Sequence, residues 1–184
     1  MGYVSGAPVV VLTGMAFEAK IATGDEALHG LRGDALERAL DQRLAQPCAG
    51  LISFGMAGGL APDLTPGALI VVRAVADGQA LMATDSAWCD ALLQALHQAQ
   101  DRNSAGAGAL AGIFAGIVAG VDAPAATVAD KQALYRATGA LAVDMESHIG
   151  ARAAQRAGVP YAVCRVVLDP AQQAVPPAAL AAFG

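Results

Sequence analysis

The feature that most constrains the fold is a regular alternation of short apolar runs with helical patterns. Val9 to Leu12 follow Pro8 as a predicted buried strand, and a turn at Thr13-Gly14 leads into a helix start at Ala16 to Ile21. The same order recurs along the chain, with predicted helices at 34–44, 86–100, 131–138 and 146–157 and predicted strands at 50–54, 68–75, 113–121, 140–145 and 161–168. Strands that alternate with helices in this way predict an α/β sandwich.

Length and charge narrow the class of protein. A chain of 184 residues is long enough to bury a sizeable core, and we predict a single domain over residues 1–184. The formal net charge is −5, and lysine and arginine do not cluster. Because phosphate backbones are recognised through basic patches, we predict no nucleic-acid partner.

The cysteines and the N-terminal residues indicate the cellular compartment of the protein. Cys48, Cys89 and Cys164 are odd in number and far apart, which fits neither a disulfide framework nor a zinc ligand set. The N-terminus has no basic stretch, and its apolar run is too short for a signal peptide. We therefore predict a cytoplasmic protein without a metal.

One segment competes with the α/β interpretation. Ser104 to Val121 carries no charge, and glycines recur every four residues at Gly108, Gly112, Gly116 and Gly120. This spacing is also typical of membrane-helix dimers. The segment only just reaches spanning length, and its alanines and glycines favour membrane insertion weakly, so a glycine-rich buried strand with a flanking loop is preferred.

Carboxylates follow three of the predicted strands. Glu18 follows the first strand, Glu146 follows the strand that ends at Met145, and Asp169 follows the strand that ends at Leu168. Each has a local explanation as well, because helix dipoles favour carboxylates in a first turn and Asp-Pro is a common turn pair. Their joint placement nevertheless predicts a site, since the carboxyl ends of neighbouring strands converge in such folds.

The glycine segment GMAGGL, residues 55–60, is predicted to form a turn. It lacks both the spacing of a dinucleotide fingerprint and the lysine of a P-loop. Its glycines would let backbone amides approach a small ligand. His29, His97 and His148 have no partner in sequence that would make a metal site or a catalytic triad.

Three longer stretches resemble the purine nucleoside phosphorylase/nucleosidase family, in the order that this family uses. They are TGMAFEAKIA, FGMAGGLAPDLTPGALIVV and AVDMESHIGARAAQRAGVPYAVCRVVLDPA. Within the family the chain resembles methylthioadenosine/S-adenosylhomocysteine nucleosidases, and its short length and FEAK opening resemble the hopanoid-associated phosphorylases still more. The resemblance implies a three-layer α/β sandwich with a central mixed sheet, and an enzyme that breaks N-glycosidic bonds.

The resemblance also implies roles for single residues. Glu146 matches the glutamate that accepts hydrogen bonds from the ribose hydroxyls, Met145 the methionine on the sugar face, and Asp169 the aspartate that protonates the purine at N7. Such an acid contributes roughly 10²–10⁴-fold to the rate. Glu18 matches the carboxylate that activates water in the nucleosidases, where the bacterial phosphorylases have an arginine for phosphate.

Departures from the family pattern affect substrate binding. Met56 replaces a serine in the turn that also holds Ala57 and Gly58, and Leu168 replaces the serine before the acid. Pro124 stands where the nucleosidases have a phenylalanine against adenine, while Asp122 is retained. The segment between Lys20 and Leu51 is shortened, which would leave room for a bulky 5′ substituent such as a lipid tail.

These observations predict an enzyme that releases adenine from a 5′-substituted adenosine, with adenosylhopane as one candidate substrate. Hydrolysis is favoured because Glu18 would repel phosphate. The alternatives are a phosphate-dependent phosphorylase of hopanoid biosynthesis, with phosphate as co-substrate, and a non-catalytic nucleoside-binding protein. We predict no cofactor, a homodimer, a small nucleoside as ligand and peripheral contact with a membrane lipid substrate.

Overall fold

The computed structural model describes residues 6–21, 26–78, 80–103 and 111–180. Within these ranges the chain forms eight strands and six helices. In chain order they are β1 (Val9–Thr13), α1 (Ala16–Ala19), β2 (Glu26–His29), α2 (Gly33–Leu44), β3 (Gly50–Gly59), β4 (Leu69–Asp77), β5 (Ala80–Ala83), α3 (Ser86–Asn103), β6 (Ile113–Gly120), α4 (Val128–Thr138), β7 (Ala142–Asp144), α5 (Ser147–Ala157), β8 (Tyr161–Asp169) and α6 (Pro177–Leu180).

The strands form one mixed sheet, which confirms the predicted fold class. Its order is β2-β1-β3-β7-β6-β4-β5, and β8 pairs with both β3 and β4. β1, β2, β3 and β8 pair in parallel, whereas β3 is antiparallel to β7, and β4 is antiparallel to β5 and β8. Because β8 bridges β3 and β4, the strands β3, β7, β6, β4 and β8 close into a ring within the sheet.

Helices cover both faces of the sheet, and the alternation of side chains along β4 explains how. Ile70 and Val72 pack in the main core together with the inward leucines of α2 and the small residues of α5. Leu69 and Val71 point to the opposite face, where they contact Cys89 of α3. Since successive residues of a strand face opposite sides, one apolar strand serves both layers.

The prediction of a glycine turn at residues 55–60 is wrong. β3 continues through these glycines to Gly59, because its second half pairs with β8 as far as Asp169 and with Val143 of β7. Hydrogen bonds to two neighbouring strands outweigh the weak strand preference of glycine. The segment therefore lies in the sheet rather than in a loop above it.

The uncharged segment at 104–121 is only partly described. Residues 113–120 form β6, which pairs with β4 and β7, so this part is not a membrane helix. Residues 104–110, which include Gly108, lie outside the described residues. Among the helices that the structure describes, none is long and apolar enough to cross a membrane.

Candidate active site

A cavity of about 370 Å³ lies where the strands converge. β1, β3 and β8 run parallel, so their carboxyl ends meet at one edge of the sheet. The cavity is lined from four sides by the β1–α1 turn, the second half of β3, the β7–α5 junction and the end of β8. The loop after β6 and Lys131 of α4 complete the wall.

Most of the residues predicted from the sequence line this one cavity. They are Glu18, Met56, Ala57, Gly58, Pro124, Met145, Glu146 and Asp169. Asp122 does not line it. Its side chain is 88% exposed, and its Oδ1 lies 2.9 Å from Nε2 of the buried His148. This contact with His148 lowers the pKa of Asp122 and gives His148 a partner that the sequence had not indicated.

Glu18 is buried, and each of its carboxylate oxygens accepts one backbone hydrogen bond. Its Oε1 accepts a hydrogen bond from the Met56 amide at 2.9 Å, and its Oε2 accepts one from the Met15 amide at 2.8 Å. Gly55 makes room for this carboxylate, because a Cβ at that position would lie 2.8 Å from Oε1. A buried carboxylate needs such donors, and they hold Glu18 at the cavity wall.

Glu146 is the N-cap residue of α5 and is 9% exposed. It lies against Gly14, where a Cβ would be 3.2 Å from its Oε1. Burial, followed by the nearby Asp144 carboxylate, raises the pKa of Glu146 to about 7, although Arg165 and Arg32 act in the opposite direction. Glu146 therefore changes charge near neutral pH.

This raised pKa predicts how stability depends on pH. Between about pH 4.5 and about pH 7 the folded chain holds a proton on Glu146 that the unfolded chain has released. The contribution of Glu146 to the free energy of unfolding must therefore decrease as pH rises through this window. Urea unfolding at several pH values should show that Glu146→Gln gains stability relative to the unchanged protein as the pH rises through this window. Parallel pH curves for the two proteins would contradict the assignment.

Asp169 ends β8 and lies beside Gly58, where a Cβ would be 3.4 Å from its Oδ2. The sequence left open what orients this carboxylate once Leu168 replaces the family's serine. In the structure Asp169 forms an ion pair with Nζ of Lys131, a residue of α4 whose side chain is buried. Lys131 was not predicted to belong to the site.

A second buried ion pair, between Arg165 and Asp144, lies in the wall of the cavity. Arg165 Nε donates to Asp144 Oδ2 at 2.6 Å, and Arg165 Nη2 donates to the hydroxyls of Ser53 at 2.7 Å and Ser147 at 2.9 Å. Burial alone would raise the pKa of Asp144, but Arg165 and the hydrogen bonds from Ser147 bring it below its usual range. The arginine inside the apolar run of β8 is the sequence signal that points to this buried pair.

Metal ligation has no support in the described part of the chain, where no group of three or more histidine, cysteine, aspartate or glutamate side chains could hold an ion. The charged groups that line the cavity are four carboxylates, two guanidinium groups and one ammonium group. They belong to Glu18, Asp144, Glu146, Asp169, Arg32, Arg165 and Lys131.

Comparison with known families identifies the relationship. The family model described as "Phosphorylase superfamily" matches residues 1–183. The chain belongs to the phosphorylase superfamily. This membership confirms the predicted family and the predicted enzyme class, a nucleosidase or nucleoside phosphorylase. Among curated proteins the search found no match.

Several solved structures resemble this superfamily member in fold. The 5′-methylthioadenosine/S-adenosylhomocysteine nucleosidase of Neisseria meningitidis, in complex with methylthio-immucillin-A, has 16% identity and a TM-score of 0.73 over 90% of this chain and 87% of that one. The Campylobacter jejuni nucleosidase has 18% identity and a TM-score of 0.73 over 92% and 89%. The Helicobacter pylori nucleosidase with butyl-thio-DADMe-Immucillin-A has 18% identity and a TM-score of 0.74 over 90% and 86%.

Proposed function

We propose that this protein cleaves the N-glycosidic bond of an adenosine-type nucleoside with a 5′ substituent and releases adenine. The observation that carries the proposal is the presence of Glu18, Glu146 and Asp169 around one cavity in a phosphorylase-superfamily chain. A cavity of about 370 Å³ falls in the range of small-molecule sites. The similar nucleosidases, solved with nucleoside analogues, support the same class of ligand.

The three carboxylates suit the charges that develop as this bond breaks. The ribosyl ring becomes positive, and the departing base becomes negative. Asp169 donates a proton to N7 of the base, which removes the negative charge. Glu146 accepts hydrogen bonds from the ribose hydroxyls and stabilises the positive ring, while Met145 packs on the sugar face.

Hydrolysis is favoured over phosphorolysis by the surroundings of Glu18. Phosphate is commonly bound by backbone amides, but the amides of Met15 and Met56 already donate to Glu18. A second anion there would meet a buried carboxylate at close range. Glu18 is instead suited to take a proton from a water molecule that attacks the anomeric carbon.

An apolar 5′ substituent is supported by exposed side chains around the site. Leu168 lines the cavity and is 55% exposed, and Phe17, next to Glu18 in sequence, is 53% exposed. The similar H. pylori nucleosidase was solved with a butyl-thio analogue. We therefore include long alkyl groups, up to an adenosylated hopane, among the candidate 5′ substituents. The homodimer, the contact with a membrane lipid and the cytoplasmic location stay predictions.

The deciding experiment is an adenine-release assay on 5′-substituted adenosines, run with and without phosphate. The panel contains 5′-methylthio, 5′-homocysteinyl and 5′-alkyl derivatives. The proposal expects adenine and a free ribose product without phosphate. Ribose 1-phosphate formed only with phosphate would establish the phosphorylase alternative, and stabilisation by the ligand without any product would establish a binding protein.

The variant Glu18→Gln tests the nucleophile. We expect adenine release to decrease by about 10²-fold, because glutamine can no longer accept a proton from water. Glu37→Gln is the matched control, since Glu37 forms a partly exposed ion pair with Arg156 and does not line the cavity. A phosphate-dependent activity that survives in Glu18→Gln would contradict the proposed role.

A further inference from the structure

Lys131 is a buried lysine whose contacts lead directly to the proposed acid. Lys131 is 0% exposed. Lysine is rarely buried in this way unless it has a partner. Nζ forms an ion pair with Asp169 Oδ2, and it donates to the carbonyl oxygens of Pro170 at 3.0 Å and Gln173 at 2.9 Å. These acceptors match the three hydrogens of an ammonium group.

The helix that carries Lys131 is fixed at its first turn. The Thr127 hydroxyl accepts from the Asp130 amide, and the Asp130 carboxylate accepts from the Thr127 amide and hydroxyl. This capping box sets the start of α4 directly after the loop that carries Pro124. Lys131 thus reaches from the first turns of α4 to the loop after β8, and both Lys131 and Gln173 line the cavity.

We propose that Lys131 is a positioning residue for Asp169, an inference that rests on the proposed function. With Oδ2 of Asp169 held by the ammonium group, the carboxyl group keeps one orientation beside Gly58 at the cavity wall. A general acid must be placed within hydrogen-bond reach of the atom that it protonates. Lys131 supplies this placement in place of the serine that the sequence lacks at position 168.

Lys131 also stabilises the charge that appears on Asp169. Before the step Asp169 carries a proton on Oδ1, the oxygen that Lys131 does not hold. The C1′–N9 bond breaks with its electron pair going to the base, and the Oδ1–H bond of Asp169 breaks as N7–H forms. Asp169 is then a carboxylate beside an ammonium group, in a charge-assisted hydrogen bond. Water bonds to C1′ and gives a proton to Glu18. Glu18 then releases this proton to solvent, and Asp169 takes one up from solvent, so that the cycle consumes one water molecule.

The test is Lys131→Met in the full chain, assayed on two ribosides. With 5′-methylthioadenosine, whose base needs a proton, we expect kcat to decrease by about 10²-fold and KM to change by less than about threefold. With 4-nitrophenyl β-D-ribofuranoside, whose leaving group departs without a proton, kcat should change by less than about threefold. Lys20→Met is the matched control, because Lys20 is the other lysine of the sequence and is exposed.

Equal losses of kcat on both ribosides would show that Lys131 only supports the structure, which would overturn the inference. If thermal unfolding shows that Lys131→Met is not folded, the variant Lys131→Arg is assayed instead. It keeps the charge and should preserve the ratio of the two kcat values, whereas a decrease in that ratio would contradict the proposal. Failure of the proposed function is separate, because the unchanged protein would then release no adenine.

Discussion

Replacing Asp169 by asparagine should reduce adenine release by about 10³-fold or more while the chain remains folded. Asparagine has almost the same shape and can still accept a hydrogen bond from Lys131, but its amide does not transfer a proton to N7. Adenine formation at saturating substrate measures the effect. Thermal unfolding of the same variant shows whether the fold has changed.

The matched control is Asp63→Asn, since Asp63 is an exposed aspartate in the loop after β3. It should keep the rate of the unchanged protein. Turnover by Asp169→Asn at the rate of this control would remove Asp169 from the mechanism. Loss of folding in Asp169→Asn alone would show that the pair with Lys131 has a larger structural role than proposed.

The fold could be predicted to a large extent because its signals are periodic. The leucines of α2, Leu36, Leu40 and Leu44, recur every four residues and are all buried, as the spacing predicted. The short edge strands β2 and β5 were not predicted, because four residues carry too little pattern to be recognised. They form by pairing with the edges of longer strands, which is not visible in local sequence.

The three carboxylates of the site could be named from their positions after strands, but their surroundings could not. Lys131 lies in a helical pattern, and Arg165 lies in a strand pattern. Nothing in the pattern around Lys131 reveals that its ammonium group is buried, whereas the apolar run around Arg165 is a signal of burial. Lys131 meets Asp169 and Arg165 meets Asp144 only because the sheet brings distant segments together.

The glycines of the site also make room for its carboxylates. Each proposed functional carboxylate lies against one of them, Glu146 on Gly14, Glu18 on Gly55 and Asp169 on Gly58. The glycines of residues 55–60 are predicted to let backbone amides approach a small ligand, and Gly55 and Gly58 line the cavity. In the structure the carboxylates of Glu18 and Asp169 lie beside Gly55 and Gly58, where a larger residue would meet them.

The second large effect is expected from Arg165→Met, which should decrease the free energy of unfolding by about 3–5 kcal/mol. Methionine fills much of the volume of arginine but leaves the buried Asp144 carboxylate without its cation. Urea unfolding at pH 7 measures the change. The exposed Arg38→Met should stay within about 0.5 kcal/mol of the unchanged protein.

The pH dependence separates loss of the ion pair from loss of packing. Because Arg165 and Ser147 lower the pKa of Asp144 in the folded chain, this stabilisation is present at neutral pH and is lost as pH decreases through the acid range. The difference between Arg165→Met and the unchanged protein should therefore shrink on acidification. A difference that is the same at pH 7 and at acid pH would mean that the arginine acts through packing. In that case the double variant Asp144→Asn/Arg165→Met should lose as much free energy of unfolding as the two single variants lose together.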